Sequence, residues 1–267
     1  MASRTKQKEE ARARRLAEEQ ARAERARRQR RLQMVGGTIL GAIIIVVVLV
    51  LVSSGGAKKE TGLQTGTTAN ATITAVNQLL AGIPQSGNRL GNPNAPVTMT
   101  YYGDYECPIC QAFTLDGGFP QLIAKDVRAG KVKVVYQPFC TATCNGPNRN
   151  MFDSQQVAGL AAGKQGLFWQ YTELFYHEQG EEGSGYVTES YLEGLARQIP
   201  ALNYSSWSTA RQDPNLTSQV TSSETAAHTA GVQGTPTLVL TGPKGSAVPD
   251  ASVPTYAQLE SAVTQVT

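Results

Sequence analysis

A nine-residue stretch with two cysteines decides the fold of this chain, Tyr102-Gly103-Asp104-Tyr105-Glu106-Cys107-Pro108-Ile109-Cys110. Val97 to Tyr102, which lead into this stretch, are mostly β-branched and aromatic in the pattern of a strand, which Gly103 ends. Pro108 suits the first turn of a helix, where its missing N–H costs nothing, so a helix is predicted to start at Cys107. The two cysteines therefore lie between a strand and a helix.

This placement favours thiol chemistry. Residues three apart on a helix are neighbours, so a disulfide between Cys107 and Cys110 can open and close with little backbone movement. The positive end of the helix dipole favours a thiolate at Cys107, and cysteine pKa values in such settings fall to roughly 3.5–7.5. We predict that Cys107 is the exposed attacking sulfur and that the more buried Cys110 resolves the mixed disulfide. Pro108 and Ile109 form the loop between them.

Three other interpretations of this pair stay open, of which the simplest is a chance match with no pairing. The pair could be half of a zinc site completed by Cys140 and Cys144, although the gap from Cys110 to Cys140 exceeds the usual zinc-ribbon spacing. It could also be a purely structural disulfide. We predict neither a metal nor a cofactor.

A second signal lies at Gly234-Thr235-Pro236-Thr237. A proline directly before a strand that reads as central is unusual, because it removes a hydrogen-bond donor from the ladder. The position is explained if the Thr235–Pro236 bond is cis and turns the Thr235 backbone towards a ligand. The alternative is an ordinary trans turn before an edge strand.

The two motifs together, with predicted helices between them, resemble the DsbA-like branch of the thioredoxin superfamily from about Leu90 onward. The run Leu79-Leu80-Ala81-Gly82-Ile83-Pro84-Gln85 is also similar to anchored, actinobacterial-type members. The resemblance implies an α/β thioredoxin fold with an inserted helical domain and a cis-Pro236 beside the cysteine pair. It also implies that Gly234, Thr235 and Pro236 bind the substrate chain, and that the reaction is dithiol–disulfide exchange.

The sequence departs from the best-known members of that branch. They often have acidic residues in the strand and the helix next to the buried cysteine, and the corresponding positions here are Tyr101 and Thr114. The dipeptide Pro108-Ile109 also lacks the histidine of strongly oxidising relatives. We therefore expect a milder oxidant.

The N-terminal part of the chain has a sharp charge asymmetry. Twelve lysines and arginines and five glutamates lie in residues 1–33, so this segment carries +7 and the remainder −4 of the net +3. Residues 34–52 are uncharged and apolar, and as a helix they would span roughly 28 Å, close to the thickness of a bilayer core. They predict a single transmembrane helix with the N-terminus inside. A cleaved signal peptide is the alternative for the apolar run. In the basic segment, the interleaved acidic residues and the lack of aromatic residues argue against nucleic-acid binding.

The predicted organisation has six parts. The linker is expected to be flexible from Ser53 to about Thr72, with a short helical pattern at Ala75–Leu80. The parts are a basic cytoplasmic tail (1–33), a transmembrane anchor (34–52), a linker with a short helix (53–90), the first half of the thioredoxin fold (91–150), a helical insertion (151–225) and the second half of the fold (226–267).

Cys140 and Cys144 close a small loop after the strand predicted at Lys131–Tyr136. We predict a structural disulfide that resists mild reductants and whose loss lowers stability while sparing exchange. The alternatives are a second redox pair or relay to Cys107, free thiols, and a metal site.

The predicted function is oxidation of cysteines in exported proteins by a monomer held at the outer face of the cell membrane. Its partners would be unfolded or reduced exported proteins and a quinone-linked membrane re-oxidase of DsbB or VKOR type. An isomerase or a reductase of the same fold stays open. So does a membrane-anchored module that binds or assembles proteins without catalysis.

Overall fold

The computed structural model of the protein describes residues 62–267. The predicted basic tail, the predicted anchor at 34–52 and the first residues of the linker lie outside this range. None of the helices within the described range has the length and apolar character needed to cross a bilayer.

A six-stranded mixed sheet forms the centre of the described part. Its strands are β1 (Gln85–Ser86), β2 (Arg89–Leu90), β3 (Val97–Gly103), β4 (Val132–Pro138), β5 (Thr237–Gly242) and β6 (Gly245–Ala247). They lie in the order β1-β2-β4-β3-β5-β6. β3 and β4 are parallel, whereas β5 runs antiparallel to β3 on its other side.

The helices follow the predicted order. They are α1 (Gly66–Leu80), α2 (Pro108–Leu115), α3 (Phe119–Leu122), α4 (Ala142–Asn145), α5 (Phe152–Gly163), α6 (Phe168–Glu178), α7 (Glu189–Arg197), α8 (Tyr204–Ala210), α9 (Pro214–Thr229) and α10 (Tyr256–Val266). A π-helical turn, Ile123–Val127, continues α3. The crossover from β3 to β4 through α2, and the insertion α5–α9 before β5, give the α/β thioredoxin arrangement with inserted helices that the sequence predicts.

The central strand β3 positions the active site. Val97, Met99, Tyr101 and Gly103 are buried, and the residues between them are half-buried, so the strand packs on both faces. The strand ends one residue later than predicted, and the chain then enters the loop that carries Asp104 to Cys107. That loop therefore starts at the end of the most enclosed strand.

The inserted helices pack on the sheet rather than standing apart from it. α6 is almost wholly buried, and its Glu173 is only 1% exposed. The predicted end of the helical insertion at residue 225 falls inside α9. This helix runs on to Thr229, and its buried residues include Ser223 and Ala227 on either side of the predicted end. The insertion therefore ends within α9, the helix that packs beside β4, and not at a break between helices.

The flexible segment predicted up to about Thr72 is wrong from Gly66 onward, whereas the short helix predicted at Ala75–Leu80 is present. The helix α1 begins at Gly66, not near Ala75, and its buried residues Ala69, Ile73, Val76 and Leu80 recur at helical spacing. Threonine and glycine are weak helix formers, so the local signal was poor, and packing against α6 stabilises the helix instead. The strands β1, β2 and β6 were not predicted, and each is only two or three residues long.

Candidate active site

Cys107 is the residue that caps the N-terminus of α2. Its sulfur accepts a hydrogen bond from the Cys110 N–H at 3.4 Å, and Pro108 occupies the first turn as predicted. Both active-site cysteines are free thiols in the structure. Cys110 is completely buried, whereas Cys107 retains 5% exposure.

The two sulfurs have opposite pKa shifts. A hydrogen bond with the Cys110 side chain lowers the pKa of Cys107 from 9.0 to about 7, and contacts with the Thr235 side chain and with two backbone N–H groups add to this effect against the cost of burial. Burial raises the pKa of Cys110 well above its usual value, and the neighbouring Cys107 raises it further. At neutral pH the charge of the pair therefore resides on Cys107.

The Thr235–Pro236 peptide bond is cis and lies against Cys107. The Cys107 thiol donates to the Thr235 carbonyl oxygen at 3.4 Å. This loop covers the sulfur. Cys107 is more accessible than Cys110, as expected, but it is mostly buried and not exposed. Gly234, by contrast, has open space beside its Cα.

Cys140 and Cys144 are joined by a disulfide, with their Cα atoms 5.6 Å apart. Because both sulfurs are used in this bond, the four-thiolate zinc arrangement does not form here. Among residues 62–267 no group of three or more metal-ligating side chains is close enough to hold a metal ion.

The disulfide loop surrounds the buried carboxyl group of Asp104. Asp104 Oδ2 accepts from the backbone N–H groups of Thr141 at 2.7 Å and Thr143 at 3.0 Å. Asp104 Oδ1 accepts from the Thr143 hydroxyl at 2.5 Å and from the Glu106 N–H at 3.0 Å. One carboxyl group therefore ties the disulfide loop to the loop that carries Cys107.

A second contact joins the disulfide loop to the cis-proline loop. The hydroxyl oxygens of Thr141 and Thr235 are 2.5 Å apart. The sequence does not mark Asp104 or Thr141 as an organising residue, because their partners are distant in the chain.

The positions where relatives have acids are in direct contact below Cys110. The Tyr101 hydroxyl lies 3.0 Å from the Thr114 hydroxyl and donates to the Cys110 carbonyl at 3.3 Å. Burial raises the pKa of Tyr101 well above its usual value, with a further contribution from Cys110. A neutral pair of hydroxyls thus occupies the positions for which the resemblance to the DsbA-like branch implies acids.

Glu106, directly before Cys107, is turned towards the insertion. Gln155 donates to Glu106 Oε1 at 2.6 Å, and Asn148 donates to Oε2 at 3.4 Å. Burial raises the pKa of Glu106, while these two hydrogen bonds oppose the shift. The carboxyl group therefore binds the insertion to the active-site loop.

The insertion also contacts the active-site backbone through two glutamines. Gln179 donates to the carbonyls of Tyr105 at 2.7 Å and Cys107 at 3.1 Å, and it is itself buried. In return Gln111 of α2 donates to the Tyr176 carbonyl at 2.6 Å. No local sequence signal identifies Gln179, because it lies far along the chain from both carbonyls.

Two apolar side chains stand out on the surface near this site. Ile109 is 43% exposed and Val248 is 61% exposed. Val248 lines a cavity of about 170 Å³ together with Pro236 and Leu238. The cis-proline loop therefore borders an open depression with both apolar and polar residues in its lining.

Comparison with known proteins places this geometry in a family. Disulfide bond formation protein D of Bacillus subtilis is 25% identical over 169 residues, covering 61% of this chain and 72% of the relative. Among solved structures, oxidised BdbD from Bacillus subtilis aligns with a TM-score of 0.56 at 22% identity, covering 70% of this chain and 96% of that one. DsbA from Chlamydia trachomatis aligns with a TM-score of 0.53 at 20% identity, covering 67% and 90%. These structures share the fold.

The strongest assignment comes from a family model. A model described as thioredoxin matches residues 85–263, well over half of the chain, and spans both the cysteine pair and the cis-proline loop. The chain belongs to this thioredoxin family.

Proposed function

We propose that this protein is a thiol–disulfide oxidoreductase that forms disulfide bonds in exported proteins through Cys107 and Cys110. The observation that carries the proposal is the opposite pKa shift of the two sulfurs beside the cis-Pro236 loop. The relative named disulfide bond formation protein D supports the oxidising direction.

The exchange has two steps. A substrate thiolate attacks Cys107 Sγ of the oxidised protein, the Cys107–Cys110 bond breaks, and Cys110 takes up the proton released by the substrate thiol. The second substrate thiolate then attacks the substrate sulfur of the mixed disulfide, and Cys107 leaves. The substrate loses two electrons and two protons; the protein disulfide gains the electrons, Cys110 holds one proton, and the other passes to solvent or to the departing Cys107 thiolate.

The pKa shifts favour this direction. A thiolate with a lowered pKa is the better leaving group, so Cys107 departs readily in the second step. Because burial raises the pKa of Cys110, this sulfur holds its proton and is a poor nucleophile for the reverse attack on the mixed disulfide. Thr235 and Pro236 would hold the substrate backbone alongside Cys107, as an added strand is held.

Oxidation of reduced ribonuclease A by the purified, oxidised protein tests the proposal. We expect two substrate thiols to disappear for each protein disulfide, measured with a thiol reagent. Cys107→Ser should abolish the reaction. Cys110→Ser, mixed with disulfide-bonded ribonuclease A, should trap a mixed disulfide visible by non-reducing electrophoresis, because the Cys107 thiolate opens a substrate disulfide, releases one substrate thiol and is not resolved. No loss of substrate thiols with the wild-type protein would instead support a non-catalytic binding module.

The reduction potential of the Cys107–Cys110 pair distinguishes an oxidase from a reductase. We expect a value above that of thioredoxin, which is about −270 mV, and below that of the strongest oxidants, about −120 mV. A value near that of thioredoxin would support a reductase. A dimer in sedimentation analysis would support an isomerase, whereas we propose a monomer.

We also propose that residues 34–52 anchor the protein in the cell membrane, with the catalytic domain outside and a quinone-linked re-oxidase of DsbB or VKOR type as its partner. The apolar run and the basic tail before it support this arrangement. A membrane-impermeant maleimide should label Cys107 in intact cells after mild reduction. It should not label a cysteine placed in the tail by Ser3→Cys, and labelling of that tail cysteine would refute the orientation.

A further inference from the structure

Asp104 joins the loop that carries the reactive sulfur to the disulfide loop. On its own loop, its backbone carbonyl accepts from the Cys107 N–H at 3.1 Å, and its Oδ1 accepts from the Glu106 N–H at 3.0 Å. On the disulfide loop, the N–H groups of Thr141 and Thr143 donate to its Oδ2. The residue is completely buried. Asp104 therefore fixes the position of Cys107 relative to the disulfide loop.

The disulfide loop in turn holds the cis-proline loop. The hydroxyl oxygens of Thr141 and Thr235 are 2.5 Å apart, a hydrogen-bond distance. The backbone carbonyl of Thr235 accepts from the Cys107 thiol at 3.4 Å. These contacts form a closed ring that runs from Cys107 through Asp104, Thr141 and Thr235 and back to Cys107. In this contact ring, the position of the sulfur relative to the Thr235 backbone depends on every link.

The register of these two groups matters for a substrate that uses both. A polypeptide held as an added strand contacts the Thr235 backbone while one of its sulfurs meets Cys107, so both positions have to fit it at once. A small disulfide needs only the sulfur. Misplacing reacting groups by about 1 Å can slow a reaction on the order of a hundredfold. A loosened contact ring should therefore slow exchange with polypeptides far more than exchange with small molecules.

We propose that Asp104 is a positioning residue, which acts through the disulfide loop to hold Cys107 and the Thr235 backbone in register for polypeptide substrates. The contact ring thus favours polypeptide disulfides over small ones as the substrate class of this site. The inference rests on the proposed function, because it assumes that substrates exchange disulfides with Cys107 beside Thr235.

The reaction of the reduced protein with two disulfides tests the proposal. One is a short peptide closed by a disulfide between its two cysteines, and the other is dithiodipyridine, a small aromatic disulfide. The Cys107 thiolate forms a bond with one sulfur of the reagent, whose disulfide breaks and releases the other sulfur as a thiolate. Cys110 then attacks Cys107 Sγ and releases the second sulfur, so the protein dithiol is oxidised and the reagent is reduced to two thiols. For the peptide this is the reverse of the proposed exchange and passes through the same transition states.

Asp104→Asn weakens the first link of the contact ring. Asparagine keeps the size of the side chain but replaces one acceptor oxygen by an amide donor, so the N–H groups of Thr141 and Thr143 lose their acceptor. We expect the rate with the peptide to fall by about tenfold or more, and the rate with dithiodipyridine to change by less than about twofold. Acid quenching, alkylation of the remaining thiols and mass spectrometry measure both rates.

Thr141→Val breaks the next link. It removes the hydroxyl that contacts Thr235, whereas the Thr141 N–H still donates to Asp104. We expect the same selective loss with the peptide, and Thr141→Ser, which keeps the hydroxyl, should restore the wild-type rate. The double variant with Asp104→Asn should lose no more than the larger single loss, because both changes open one ring. If Asp104→Asn does not fold, Thr141→Val decides by the same criterion.

Asp126→Asn is the matched control for the loss of a buried carboxyl group. Asp126 is 4% exposed and accepts from the Tyr256 hydroxyl at 3.0 Å. It lies in the π-helical turn that precedes β4, at the end of the sheet away from Cys107. Asp126→Asn should lower the free energy of unfolding and leave both exchange rates unchanged.

Three results would overturn the proposal: equal slowing of both disulfides in Asp104→Asn or Thr141→Val, an unchanged peptide rate in either variant, or a peptide-selective loss in Asp126→Asn. If the selective losses appear and the oxidised wild type does not oxidise reduced ribonuclease A, the proposed function fails while the role of Asp104 stands. If ribonuclease A is oxidised and the variants slow both disulfides alike, only the role of Asp104 fails.

Discussion

Glu173→Gln should stabilise the protein at neutral pH. Glu173 is fully buried in α6, and its Oε1 makes no hydrogen bond with the described residues. Burial raises its pKa from 4.5 to about 8. Between these values the folded protein keeps the proton that the unfolded chain loses, so stability falls as the pH rises from 4.5 towards 8.

The size of the effect follows from the gap between the pH and the unfolded pKa. At about 1.36 kcal/mol per unit, the gap between pH 7 and 4.5 gives about 3 kcal/mol. Glutamine has nearly the same shape and stays neutral in both states. The variant should therefore match the wild type near pH 4.5 and exceed it by about 3 kcal/mol at pH 7.

Urea unfolding of the purified protein at several pH values between 4.5 and 8 measures this difference. Glu182→Gln is the control, because Glu182 is exposed and its replacement removes the same charge. The control should change the free energy of unfolding by less than about 0.5 kcal/mol at every pH. Parallel curves for the wild type and Glu173→Gln would refute the reasoning, because the carboxyl group would then ionise alike in both states.

Three further predictions concern the active site. In the reduced protein, the rate of alkylation of Cys107 by iodoacetamide should rise with pH around a midpoint of about 7, whereas Cys110 should stay unmodified, and mass spectrometry of the peptides distinguishes the two. Replacing Cys140 and Cys144 together by serine should lower the free energy of unfolding by about 2 kcal/mol, the loop-closure value for a very short ring. Because the loop contacts the active site, the same variant should also exchange disulfides more slowly. The sequence alone had predicted that exchange is spared. Gln179→Leu should lower stability by about 2 kcal/mol in urea unfolding, because two buried carbonyls lose their donor, and an unchanged midpoint would show that other donors replace it.

The sequence predicts the core of the fold well, because its strands carry strong local patterns. Val97 to Tyr102 is rich in β-branched and aromatic residues and lies between a proline and a glycine, and the structure has a strand there. The helix α1 gave a weak signal because its stability comes from packing against α6, a contact that local propensity does not encode. The short strands β1, β2 and β6 are too brief for any periodicity to appear.

The residues of the active site likewise fall into those that the sequence predicts and those that it does not. The cysteine pair and the Thr235-Pro236 segment are recognisable because each has an unusual local arrangement of residues. Asp104 and Thr141 act through partners 37 and 94 residues away, so only the folded chain brings them together. Single polar residues of this kind are common in loops, and nothing in their immediate neighbours distinguishes them.

The side chains of Gln179 and Gln111 each donate to backbone carbonyls of the other's segment, and this affects the cooperativity of unfolding. The insertion donates to the carbonyl of Cys107, and the active-site helix donates back to the end of α6. Opening of α6 alone would leave both sets of carbonyls without their donors, so the insertion and the active-site loop should open as one unit. Amide hydrogens of α2 and of the C-terminal turn of α6 should then exchange with solvent at a common free energy of opening. The reactive cysteine would thus be protected by a segment inserted far beyond it in the chain.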